Sequence, residues 1–71
     1  MSWNKAVFST MVQEVGYDEE RQEMTVTFNS GAVYAYQGVP EELAVQLSNA
    51  PSVGQMLNSE IKASYPAKRV R

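Results

Sequence analysis

Four cations stand close together at the end of this 71-residue chain: Lys62, Lys68, Arg69 and Arg71. Ammonium and guanidinium groups in such a run can neutralise phosphates and release their counterions. Tyr34 and Tyr36 are two residues apart, so on an extended strand both rings leave the same face, and exposed rings at that spacing can stack nucleic-acid bases. These six residues are the candidate nucleic-acid contacts. Ser52 and Gly54 make a weaker anion candidate, because they open a helical pattern whose first N–H groups are free. The Gly-rich loop and Gly-Lys-Ser/Thr of a P-loop are missing, so capping accounts for Ser52 and close packing for Gly54.

Catalytic chemistry has little to work with. The chain has no Cys, which removes disulfides, thiolate catalysis and iron–sulfur ligation, and no His, which removes the usual acid/base group near neutral pH. Without an imidazole no Ser–His–Asp relay can form, and a zinc site would need four carboxylates. Ser59-Glu60-Ile61-Lys62 spells Ser-x-x-Lys, but the partner motifs of that enzyme class are absent. Glu41 and Glu42 are adjacent on a helix and do not face each other. Asp18-Glu19-Glu20 with Glu23 reads as a solvated turn, lacking calcium-loop spacing. The expectation is a non-enzyme without cofactor or metal.

The formal charge of -2 conceals a division. Residues 1–60 hold Lys5 and Arg21 against all eight acids, a net -6, while residues 61–71 hold four cations and no acid, a net +4. A body of that sign repels phosphate, so any nucleic-acid contact falls to the C-terminal end and what lies beside it.

Hydrophobic periodicity supplies the scaffold. Met11 to Tyr17 reads as a strand with Met11, Val15 and Tyr17 on one face and Val12 out of phase, a sign of a bulge. Met24, Val26 and Phe28 alternate with Thr25 and Thr27, and Ala32 to Gln37 continues as a third strand. Short turns between them imply an antiparallel meander. Pro40 suits the first turn of a helix, followed by Glu41 and Glu42 at its positive dipole end, with Leu43, Ala44 and Leu47 as the apolar stripe. A second helix opens at Ser52, with Gln55 three residues on and Val53, Met56, Leu57 and Ile61 at helical spacing. The expected fold class is α+β: a three-stranded antiparallel β-meander followed by two short helices packed on one sheet face. Residues 1–8 would be an N-terminal arm, with Trp3 packing on the domain, residues 9–66 the domain, and residues 67–71 a basic tail.

The loop between the second and third strands decides where the tyrosines point. A three-residue loop, Asn29-Ser30-Gly31, sets Val26 opposite Tyr34 and Met24 opposite Tyr36, under the helices. A two-residue loop reverses the parity and turns both rings outward with Thr25 and Thr27. Gly at the third position is the signal of a turn with a bulge and favours the first arrangement. The opposite face, with Thr25, Thr27, Val33 and Ala35, would then be open and moderately apolar.

The run from Ser9 to Tyr65 resembles the KTSC domain family, named after the C-terminal domain of some lysyl-tRNA synthetases. The matching pieces are Ser9-Thr10, Val12, Val15-Gly16-Tyr17-Asp18, Met24-x-Val26-x-Phe28, Gly31, Tyr34-x-Tyr36 and Val39-Pro40. Ala50-x-Ser52-x-Gly54, Leu57-Asn58, Ile61-Lys62 and Tyr65-Pro66 complete the set. No piece is specific alone; their order and spacing carry the resemblance. It implies a small domain that also occurs as a free-standing bacterial or phage protein, and an association with RNA through the synthetase.

Two functions are expected from this reading. The electrostatics favour a protein-interaction module, of phage or prophage type, that binds a protein partner or a second copy of itself through the open sheet face or edge. The alternative is an RNA or tRNA accessory module using the basic end with Tyr34 and Tyr36. No apolar run approaches the ~20 residues that span a bilayer, and Met1 to Thr10 lacks the apolar core of a signal peptide, so a bacterial cytoplasm, or that of a phage host, is the expected location without membrane contact.

Overall fold

Met24 and Val26 alternate with Thr25 and Thr27, and the strand they form lies at the centre of a five-stranded antiparallel sheet. The computed structural model describes residues 2–71; Met1, the first residue of the expected arm, lies outside them. The strands are β1 (Ser2–Ala6), β2 (Val12–Asp18), β3 (Glu23–Phe28), β4 (Val33–Gln37) and β5 (Ala67–Arg69), in the order β1-β2-β3-β4-β5 across the sheet. Two helices intervene before β5: α1 (Glu41–Ser48) and α2 (Val53–Met56), which continues as a π-helical turn over Leu57–Ile61.

The α+β class holds, but the sheet has five strands rather than three. The segments read as arm and tail are its two edges. Ser2–Ala6 pairs antiparallel with β2, and Ala67–Arg69 pairs antiparallel with β4. The chain continues past β5 along the same edge: the Val70 N–H donates to the Val33 carbonyl at 2.7 Å, and the Val33 N–H donates to Arg71 O at 3.2 Å. Edge strands of this kind are held by backbone hydrogen bonds and expose most side chains, so they lack the apolar alternation that marks β3.

The three-residue loop is the one that forms. Gly31 has φ +97°, in the left-handed region that a glycine enters without a Cβ clash. The Phe28 N–H donates to Ala32 O at 2.8 Å, and Val26 faces Tyr34 while Met24 faces Tyr36. Tyr36 is buried and Tyr34 half-buried. The irregularity expected near Val12 is a register shift between Val12 and Glu14. It puts Val12 in the core with Val15 and Tyr17 and leaves Met11, expected to share their face, 40% exposed ahead of the strand.

The core lies between this sheet face and the helices. Val12, Val15, Met24 and Val26 meet Val39, Ala44, Leu47, Leu57 and Ile61, all fully enclosed. Tyr17 lies beneath α1 and donates its phenol proton to the Val39 carbonyl at 2.7 Å. Trp3 stacks on Tyr17 at 6.0 Å between centroids and donates to Glu41 Oε2 at 3.1 Å, so β1 is tied to the first turn of α1. Pro40 sits one position earlier than expected, as the N-cap of α1, and its carbonyl accepts from the Leu43 and Ala44 N–H groups. Ser52 caps α2 by accepting from the Gln55 N–H at 3.4 Å.

The opposite sheet face is less open than its sequence suggests. Val33 is 7% and Ala35 1% exposed. Lys68 of β5 stands directly opposite Ala35, which is flanked on its other side by Thr25. Thr25 and Thr27 remain half-buried, and Ala35 is flanked in the sheet by the chain's own last strand.

Candidate functional site

The hairpin loop after β3, the segment before β2 and the end of the second helix converge on a cleft of about 540 Å³. Phe28, Tyr34 and Tyr36 supply its aromatic walls, Thr10, Asn29 and Ser30 its neutral polar rim, and Lys62 its charge. Among the described residues no acid lines it. The rim is fixed from both sides: the Asn29 N–H donates to Met11 O at 2.8 Å, and Asn29 Nδ2 donates to Ser9 O at 3.1 Å. Ser9 in turn holds its own segment by accepting from the Met11 and Val12 N–H groups.

The position of Lys62 follows from the π turn. Its N–H donates to the Leu57 carbonyl five residues back, at 2.9 Å. The wider turn rotates Lys62 about the helix relative to an α continuation, and its ammonium comes to lie over the Phe28 ring, 5.9 Å from the centroid. Phe28 meets Tyr34 almost at right angles, at 88° and 5.7 Å. A cation over one ring and a second ring perpendicular to it is a stable arrangement, because the ring face is negative and the ring edge positive.

Three of the six nucleic-acid candidates therefore share one cleft: Lys62, Tyr34 and Tyr36. Arg69 stands directly opposite Tyr34 in the β4–β5 ladder, so its side chain leaves the same sheet face; its Nε donates to Arg71 O at 3.2 Å. Lys68 does not join them, because it projects from the opposite face beside Ala35. Arg71 contributes its backbone to the β4 edge. Tyr36 is 3% exposed and forms the floor, so the pair of outward stacking rings does not exist. Burial raises the Tyr36 phenol above its usual pKa, with Tyr34 adding to the shift.

Sequence reasoning missed Phe28, Asn29, Ser30 and Thr10 as cleft residues. Phe28 had the signal of a core strand residue, which in part it also is, and Lys62 reaches it from the end of the π turn. The weak anion candidate lies elsewhere. Ser52 accepts from the helix it caps, and a Cβ on Gly54 would approach Met11 Sδ to 3.2 Å, so Gly54 admits the close passage of Met11.

Most acidic groups occupy the other end of the sheet; Glu14, opposite Thr27, and Glu60, in the π turn before Lys62, do not. Asp18 and Glu23 pair across the β2–β3 turn, where Asp18 Oδ1 accepts from the Glu20 and Arg21 N–H groups. Glu41, at the start of α1, joins them beside Trp3. The division of charge along the chain thus becomes, in part, a division along the strand axis, with Glu14, Glu60 and Arg21 as its exceptions. Among the described residues no group of three or more His, Cys, Asp or Glu is placed to hold a metal, and no helix is long and apolar enough to cross a membrane.

Comparison with known proteins adds three findings. The family model described as KTSC domain matches residues 8–65. An uncharacterised protein from Stutzerimonas stutzeri is 38% identical over 60 residues, which cover 84% of each chain, and a lysine–tRNA ligase from Nostoc punctiforme is 38% identical over 56 residues. That match covers 79% of this chain and 10% of the ligase, so the chain spans about a tenth of the ligase's length. Among solved structures, the KTSC domain protein YPO2434 from Yersinia pestis superposes with a TM-score of 0.91 over 100% of both chains, at 24% sequence identity.

Proposed function

The chain belongs to the KTSC domain family, and from that premise we propose that it is a small non-catalytic binding module for single-stranded RNA, such as an unpaired end or loop of a tRNA. The observation that carries this reading is the cleft in which Tyr34, Phe28 and Lys62 meet with no acid in the lining. Bases stack on aromatic rings without regard to sequence, and a cation beside the ring meets the phosphate. The strongest electrostatic objection was the net -6 of residues 1–60. It weakens because the acids of the β2–β3 turn and Glu41 lie at the end of the sheet away from the hairpin loop that rims the cleft, while the two nearer acids, Glu14 and Glu60, are outside its lining. Relatives named for joining lysine to tRNA carry a segment like this one, and a module beside such chemistry has a use for RNA contacts. An NMR titration with tRNA and with a single-stranded decamer at low salt tests the reading. Shifts at Tyr34, Lys62 and Arg69 support it; an unmoved spectrum refutes it.

A protein partner, a second copy of the chain included, has its own support. The Phe8 side chain is wholly exposed, Val70 is 56% exposed, and β1 and β5 are the outer strands of the sheet. Such edges can accept another strand. Affinity capture from a nuclease-treated bacterial lysate, with the oligomeric state measured alongside, separates this reading from the first.

A further inference from the structure

We infer that the cleft divides its work between its two half-buried rings: Phe28 holds the Lys62 ammonium for a phosphate, and the Tyr34 ring receives one unpaired base. The site then takes a single nucleotide of a strand and does not grip a duplex. This rests on the RNA reading above and specifies which part of the RNA is bound.

The geometry assigns the roles. Lys62 Nζ already occupies the ground over Phe28, so a base cannot stack there without displacing the cation. Tyr34 stands perpendicular to Phe28 and remains half-exposed, so it is the ring left for a base. Tyr36 is too deeply buried to serve as a second platform. One available ring means one base, in contrast to sheets that stack two or three.

Size and charge agree with this. A volume of about 540 Å³ lies within the range of small-molecule sites, roughly 300–1,000 Å³. The neutral rim of Thr10, Asn29 and Ser30 offers hydroxyl and amide groups to a base edge or ribose. Arg69, beside Tyr34 on the same face, is placed for the phosphate of the next nucleotide. A paired base keeps its faces stacked inside the helix and cannot reach Tyr34.

The test is an NMR titration of the intact chain with AMP, with a single-stranded adenylate decamer and with a duplex RNA of similar length. AMP and the decamer should both shift Phe28, Ala32, Tyr34 and Lys62, with the Tyr34 ring protons moving upfield from the stacked base, and the duplex should leave these signals in place. Tyr34→Phe should keep the decamer affinity, and Tyr34→Leu should lower it by about 5- to 150-fold. Phe28→Leu should lower affinity in the parent and have little further effect in Lys62→Gln. The upfield shift is read in the unaltered chain, so a variant that fails to fold does not decide the matter. If the decamer binds while AMP leaves the cleft unmoved, or if the duplex shifts the same signals, the single-nucleotide site is refuted and RNA binding stands. If neither AMP nor the decamer binds, the RNA reading fails and this inference with it.

Discussion

Arg69 stands directly opposite Tyr34 across the β4–β5 ladder, so the last strand carries a guanidinium to the sheet face where the cleft opens. The pairing makes β5 part of the sheet and, on the RNA reading proposed above, a source of phosphate contact. It closes the β4 edge, and of the terminal charges it sets Arg69 on the cleft face and Lys68 on the opposite one.

Removing residues 67–71 should therefore cost stability as well as binding. The β4 edge loses the Val70 and Arg71 hydrogen bonds to Val33 as well as the β5 ladder, and Ala35 loses the strand beside it. A few ladder bonds at roughly 1 kcal/mol each put the loss at about 2–3 kcal/mol. Denaturant unfolding measures it, and hydrogen exchange should show faster exchange at the Val33 amide. Unchanged protection there would mean that β5 is not paired in solution.

Gly16 shows how closely β1, β2 and β3 approach. A Cβ at this position would lie 2.6 Å from Thr25 Oγ1 and would also overlap Asn4 Oδ1. Both obstacles are side-chain atoms that can turn aside, so Gly16→Ala should destabilise by about 1–2 kcal/mol, the lower part of the range for overpacking. Removing one obstacle should recover part of this: the double variant with Thr25→Ala should be less destabilised than the two single effects added. Strict additivity in thermal unfolding would contradict the contact.

The Tyr17 phenol links β2 to the turn before α1 through Val39 O. Tyr17→Phe removes that donor and should cost about 1–3 kcal/mol, the penalty for a buried acceptor left without its partner.

Alkaline pH should probe the same residue. Burial raises the Tyr17 pKa, and the negative charges of Glu41, Glu19 and Asp18 raise it further; burial also raises Tyr36. In the unfolded chain both phenols ionise near about 10. Their contribution is fully present below that value and is lost as pH rises from about 10 through the higher folded-state values, because the unfolded chain then binds fewer protons. Melting temperature should hold steady between about pH 7 and 9 as far as these phenols decide it and fall above about 10. The fall should be shallower in Tyr17→Phe.

The central part of the fold was legible in the sequence because its residues carry their own punctuation. Met24, Val26 and Phe28 announce β3 by alternation, Gly31 sets the loop parity, and Ser52 marks the start of α2. The two outer strands were not legible. Ser2–Ala6 buries part of one side chain, Trp3, and Ala67–Arg69 buries none, so no apolar period distinguishes them from an arm and a tail; they pair along the edges of β2 and β4. The same holds for the cleft. Lys62, Arg69 and Tyr34 were identifiable by type, but the partnership of Lys62 with Phe28 depends on a π turn that Leu57 to Ile61 do not announce.

The most direct test of the account is the salt dependence of decamer binding to the parent chain, Lys62→Gln and Arg69→Gln. Each phosphate neutralised on a single strand contributes about -0.7 to the slope of log affinity against log salt. Contacts by Lys62 and Arg69 predict a slope of about -1.4 in the parent and about -0.7 in either variant. Binding whose slope is unchanged by both substitutions would contradict the account, because the phosphates would then be held somewhere other than beside the cleft.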